Sequence, residues 1–160
     1  MRRYFFVFLL MGMVNSSFAA VITVEIVQPK LDETPYHRPY VAVWLETPKR
    51  KAVATLAVWH GEDKWLKDLR QWWRKVGRSA KAEIDTVSGA SRRPDQYIIE
   101  WDGKDNHGQP VPAGKYLLNV EAVREEGGRD YLRQQIEIGQ SGEIVLPAKK
   151  EIGPIKVIWE

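Results

Sequence analysis

The chain has no cysteine, which excludes disulfides, thiol nucleophiles, zinc–thiolate centres and iron–sulfur ligation. Histidine is scarce as well: His37, His60 and His107 are the only three, and none falls in a His-x-x-His or His-Glu-x-x-His spacing. Exposed loop positions are the default reading for each. A charge excess of one sign is also missing. Lys+Arg minus Asp+Glu is 24 − 21 = +3, too thin a surplus to build the clustered basic face that nucleic acid requires. No apolar run reaches the roughly 20 residues that a membrane-spanning helix needs. The longest, Tyr4 to Val14, is short and has no stop-transfer segment after it. Internal repeats, low-complexity tracts and long linkers are absent too, and no hydrolase or metal-enzyme motif is found.

What remains is 160 residues, 44% apolar and 28% charged, enough for one domain with a real core and a short appendage. Arg2 and Arg3, the apolar run, and the small-x-small triplet Ser17-Phe18-Ala19 read in that order as a cleavable signal peptide over residues 1–19. Ala20 would begin the mature chain, and no lipidation cysteine stands at the cleavage point. Cleavage removes two Arg and no acid, leaving 22 − 21 = +1. The expectation is a periplasmic protein, free in solution, with no stable membrane insertion and no nucleic-acid partner.

Strand-like runs dominate the mature chain: Val21 to Val27, Tyr40 to Leu45, Ala52 to Trp59, Tyr97 to Trp101, Tyr116 to Val123, Tyr131 to Ile138, Glu143 to Leu146 and Ile155 to Trp159. Gly, Pro, Asp and Asn punctuate the gaps. Seven or eight short strands at this spacing suggest one mainly β domain over residues 20–160, an antiparallel β-sandwich. One segment breaks the pattern. Trp65, Leu66, Leu69, Trp72, Trp73 and Val76 fall within an arc of roughly 120° when wound at 100° per residue, so an amphipathic helix of about four turns is expected over residues 62–76. Its Trp-rich face has three possible destinations: packing on the sandwich, which ranks first, stacking on sugar rings or a planar cofactor, or lying on a membrane surface.

The run Trp101-Asp102-Gly103-Lys104-Asp105-Asn106-His107-Gly108-Gln109-Pro110-Val111-Pro112-Ala113-Gly114-Lys115-Tyr116 reads as strand, acidic glycine-rich turn, strand. It resembles the Trp-Asp-Gly…Val-Pro-Ala-Gly-x-Tyr signature of the immunoglobulin-like domain in the flagellar hook-cap protein, a resemblance covering about residues 97–138 and implying an immunoglobulin-like fold. Asp102, Asp105 and Asn106 lack the spacing of an EF-hand and are read as turn chemistry.

A loop is expected over residues 77–96, a length that in compact domains points to function. At its centre stands Asp85-Thr86-Val87-Ser88-Gly89-Ala90-Ser91, followed by Arg92-Arg93-Pro94. Asp-x-x-(Ser/Thr)-Gly-Ala-(Ser/Thr) resembles the acceptor motif of the ApbE-type FAD:protein FMN transferases, found also in FMN-binding subunits of sodium-pumping NADH:quinone oxidoreductases and Rnf-type complexes. The resemblance implies covalent FMN on the last hydroxyl, Ser91, where threonine is the commoner acceptor. Ser91 offers a hydroxyl that can attack phosphorus once deprotonated. Gly89 tolerates positive φ and leaves room for the incoming diphosphate, and Ala90 is small for the same reason. Ser88 can hold the turn through the local backbone, while Asp85 either caps that turn or meets the transferase and its metal. Arg92 and Arg93 can pair with the phosphate left in the linkage.

The mature chain also resembles a family of uncharacterised periplasmic proteins that share Tyr36-His37-Arg38-Pro39-Tyr40-Val41-Ala42-Val43-Trp44, the Lys64-Trp65-Leu66 helix start and the Ser88-Gly89-Ala90 loop. Their genes tend to lie near those for flavin transferases and PepSY-type membrane proteins, which implies electron transfer outside the inner membrane. Tyr36, His37 and Arg38 combine aromatic and cationic groups suited to a flavin ring and its phosphate, although proline-flanked strand entry explains them equally well. The expected protein is thus an electron carrier rather than an enzyme with its own turnover. The alternative is a non-enzymatic module that binds a protein or glycan partner.

Overall fold

A computed structural model describes residues 22–79 and 85–160. The signal peptide expected over residues 1–19 therefore lies outside the described residues. Two sheets pack face to face as the expected β-sandwich. The first contains β1 (Ile22–Gln28), β5 (Asp95–Trp101), β8 (Gly142–Leu146) and β9 (Ile155–Trp159) in the order β5-β1-β9-β8. The second contains β2 (Tyr40–Glu46), β3 (Ala52–His60), β4 (Ser88–Ala90), β6 (Gly114–Val123) and β7 (Arg129–Ile138) in the order β4-β3-β2-β6-β7.

The strand β1 shows why the sequence folds this way. Ile22, Val24 and Ile26 alternate with Thr23 and Glu25, so one face enters the core between the sheets and the other does not. By contrast β2 is buried along its whole length, because it is covered on both faces. Val41, Val43 and Leu45 face the inter-sheet core, while Tyr40, Ala42 and Trp44 face a second apolar cluster on the outside of the sheet. The order β7-β6-β2-β3-β4 follows the G-F-C-C′-C″ sheet of an immunoglobulin variable domain, and β1 beside β5 follows its B–E pair. The Tyr116 hydroxyl donates to the Pro112 carbonyl at 2.8 Å, the tyrosine corner of such folds.

The turn between β5 and β6 is built by its own side chains. Asp105 Oδ1 accepts from the backbone N–H of His107 and of Gln109, both at 2.9 Å. Gly103 and Gly108 take positive φ, and Asn106 Oδ1 accepts the Thr55 N–H at 2.8 Å, which pins the turn to β3.

Two expectations need correction. The helix over residues 62–76 is not continuous. The chain there forms a 3-10 helix (Asp63–Asp68), one α-turn (Arg70–Trp72) and one π-turn (Trp73–Gly77), with Leu69 between the first two at φ −71°, ψ 67°. The cause is Glu121 on β6. Its fully buried carboxylate accepts the N–H groups of Gln71 (3.0 Å) and Trp72 (2.9 Å), so a new helical start is capped in mid-segment. The apolar face packs on the sheet, as first ranked: Leu66, Leu69, Trp72 and Val76 join Tyr40, Ala42, Trp44 and Val58 in the outer cluster.

Second, the segment 77–96 is not irregular throughout. Ser88–Ala90 pairs in parallel with β3, with Val58 opposite Ser88, Trp59 opposite Gly89 and His60 opposite Ala90. A parallel pair needs a crossover, and the helical segment 63–77 lies on that crossover. The remaining strand pairings are antiparallel.

Candidate functional site at the loop end

The connections 29–39 between β1 and β2, 91–94 between β4 and β5, 124–128 between β6 and β7 and 147–154 between β8 and β9 gather at one end of the sandwich, where β3 also ends. In variable domains the equivalent loops carry the binding surface. Of the motif, Ala90 and Ser91 are at this end, whereas Thr86 and Val87 border the β5–β6 turn at the other end. The link 91–94 leaves β4 in one sheet and enters β5 in the other, so Ser91 stands where the chain crosses between the layers.

The Ser91 N–H donates to the His60 carbonyl at 3.0 Å, extending the β3–β4 ladder by one step. This fixes the Ser91 backbone while the residue remains half-buried. Among the described residues β4 is the edge of its sheet, with β3 its one strand neighbour. Ser88 and Gly89 are half-buried, while Ala90, Arg92, Arg93 and the turn residue Asp85 are exposed.

Gly89 and Ser88 depart from their expected roles. Gly89 is a strand residue and is not among the positive-φ positions. A Cβ on it would sit 3.6 Å from Trp59 Cδ1 and 3.8 Å from Arg92 Nη2, ordinary contacts, so the fold itself does not demand glycine there. Ser88 likewise lies in the strand rather than in a turn.

Arg92 caps an aromatic pair. Its guanidinium carbon lies 5.3 Å from the Trp59 ring centre and 5.4 Å from that of Tyr97, and the two rings meet edge-on at 5.4 Å. The Tyr97 hydroxyl donates to the Arg93 carbonyl at 3.0 Å and so holds the 91–94 link from below. Arg93 and Pro94 then form one wall of a cleft of about 440 Å³, whose other walls are Lys30, Leu31, Tyr36 and Arg38. Tyr36 Oη is buried and has no hydrogen-bond partner among the described residues, and burial raises its pKa, keeping the phenol a neutral donor. An unmet buried hydroxyl costs about 1–3 kcal/mol.

The trio Tyr36, His37 and Arg38 is therefore split. Tyr36 and Arg38 line the cleft with Arg93, whereas His37 faces the 124–128 loop, with Nδ1 3.5 Å from Glu125 and Nε2 3.9 Å from Glu126. His60 also departs from the exposed-loop reading, since it ends β3 with its side chain only 12% exposed.

Sequence reasoning missed the ionic cluster that holds these loops in place. The Arg124 guanidinium is buried and bonded to Glu151 through Nε (2.8 Å) and Nη2 (3.2 Å), and its Nη1 pairs with Glu33. Lys150 reaches Glu33 at 3.1 Å, and Glu151 also accepts the Gly128 N–H at 2.8 Å. A second cleft of about 330 Å³ borders Tyr40, Trp65, Asp68, Arg70 and Arg129. Charges on elements far apart in sequence give no local signal. For the first cleft, the only clue was an aromatic–cation run placed between prolines.

The fold and loop end define the class: an immunoglobulin-like sandwich with a cationic cleft, lined by Tyr36, near a serine that follows an edge strand. The chain belongs to the family described as "Predicted periplasmic protein (DUF2271)", whose model matches residues 21–154. No curated protein and no solved structure matches it. Among the described residues no helix is long and apolar enough to cross a membrane.

Proposed function

We propose that this chain is a periplasmic flavin carrier, with FMN held as a phosphoester on Ser91. The observation that supports it is the position of Ser91: half-buried, backbone-fixed, one residue beyond an edge strand and next to a cationic cleft with an unmet buried hydroxyl. An FAD:protein FMN transferase can reach the acceptor segment by adding a strand to the outer edge of β4, a mode in which small residues such as Gly89 and Ala90 let two backbones approach.

Attachment balances without an added oxidant or reductant. Ser91 Oγ forms a bond to the FMN phosphorus of FAD, the diphosphate P–O bond breaks, AMP departs, and the hydroxyl proton passes to a base of the transferase. The linkage keeps one negative charge, for which Arg92 and Arg93 are the nearest cations in sequence. Asp85, exposed in the turn before β4, either caps that turn or meets the transferase and its metal. Bound FMN supplies one- or two-electron transfer, and a PepSY-type membrane protein is the proposed redox partner. The protein contributes attachment, charge and shielding, not bond chemistry. Half-buried Tyr97, which stacks edge-on against the buried Trp59 under Arg92, is the aromatic side chain nearest the 91–94 link, while Trp72 is fully buried against the sheet.

Co-expression with a transferase tests the proposal. The intact mass rises by one FMN moiety, the shift vanishes in Ser91→Ala, and it is retained in Ser91→Thr. An unshifted mass for the parent chain refutes attachment. The competing reading, a protein- or glycan-binding module, draws on the second cleft with its half-buried Trp65. It predicts that Trp65→Ala abolishes partner binding while Ser91→Ala has no effect.

A further inference from the structure

We infer that the cleft between the 29–39 loop and the 91–94 link is a preformed seat for the phosphate and ribityl portion of FMN, bound there by non-covalent contacts. The inference rests on the flavin reading of Ser91 and adds the residues that receive the cofactor once it is attached.

Lys30, Arg38 and Arg93 come from three different stretches of chain, after β1, before β2 and before β5, and converge on one cleft. Like charges drawn together in this way favour an anion between them, and the two guanidinium groups match the fork geometry of phosphate oxygens. Tyr36 lines the same cleft, and its buried hydroxyl has no partner among the described residues. Leu31, Pro94 and the Tyr36 ring give the cleft an apolar side, as a polyol chain leading to a planar ring requires. Its volume of about 440 Å³ lies within the range of small-molecule sites. Reach is satisfied too, since Arg93 is two residues from Ser91, at most about 7 Å of extended chain. The seat is held from behind, because Glu33, in the same loop as Tyr36 and Arg38, is tied to Arg124 and Lys150.

The test uses the full mature chain carrying Ser91→Ala, which cannot be esterified at this position, titrated with FMN, riboflavin and AMP and followed by flavin fluorescence or calorimetry. FMN is expected to bind at least about tenfold more tightly than riboflavin, which lacks the phosphate, and than AMP, which lacks the flavin. Arg38→Gln is expected to weaken FMN about tenfold, and Tyr36→Phe about fivefold. Both variants alter exposed or cleft-lining groups, and unchanged melting temperatures would show that the fold is kept. Equal binding of FMN and riboflavin, equal binding of FMN and AMP, or no FMN binding up to about 1 mM overturns the seat. These outcomes are separable from attachment: a mass shift on Ser91 with no FMN preference defeats the seat alone, and FMN binding without a mass shift defeats the carrier reading alone.

Discussion

Arg124 illustrates how a buried charge is made tolerable. Its guanidinium faces two carboxylates, and Gly127 and Gly128 lie so close to the pair that a Cβ on Gly128 would stand 2.5 Å from Glu151 Oε1. Removing the cation would leave Glu151 buried without its partner, so Arg124→Ala should lower stability by about 3–5 kcal/mol in urea unfolding. Glu33 adds a pH dependence. The hydrogen bond from Arg124 and that from Lys150 hold its carboxyl below the usual 4.5. A folded-state pKa below the unfolded one contributes stability that is complete above pH 4.5 and is lost as pH falls through the lower folded value. The advantage of the parent chain over Glu33→Gln in melting temperature should therefore be full at pH 7 and shrink as pH drops below 4.5. An advantage independent of pH would contradict the ion pair. None of this is legible in the sequence, where Glu33, Arg124 and Glu151 stand far apart. The proposal of Ser91 comes from a local motif, whereas Tyr36 and Arg38 stood out only with His37, from which the fold divides them.

The helical segment shows the limit of periodicity at the scale of an element. The spacing of Leu66, Leu69, Trp72 and Val76 identifies the buried face correctly, since that face is set by which side chains leave water. It cannot reveal the kind of helix, which depends on the Glu121 carboxylate nearly fifty residues later taking two N–H groups in mid-segment. The strand β4 was missed for the opposite reason: Ser-Gly-Ala has no strand propensity, and it pairs because the crossover brings it beside β3. Trp72 anchors that crossover, fully buried with Nε1 3.3 Å from Thr55 Oγ1. Trp72→Ala should cost about 3–5 kcal/mol by chemical denaturation. A loss below about 1 kcal/mol would show that the segment is not a packed part of the fold.

At the scale of the whole molecule, the sandwich is a rigid frame that displays one end. Eight strands were readable from β-branched and aromatic runs between turn residues, and the sandwich followed from their number and spacing. The convergence of 29–39, 91–94 and 124–128 was not readable, because it depends on strand order rather than on any local pattern. That convergence gives the proposed acceptor serine its setting: an edge strand before it, the Tyr97–Trp59 pair beside it, and a cationic cleft with an unmet buried hydroxyl nearby. The account's central claim is that Ser91 carries the flavin. It is tested most directly by peptide mass mapping of the protein purified from the periplasm of its own host. The predicted result is an FMN-sized addition confined to the peptide containing Ser91, together with a yellow chromophore that survives denaturation. A colourless protein whose Ser91 peptide has its unmodified mass would contradict it.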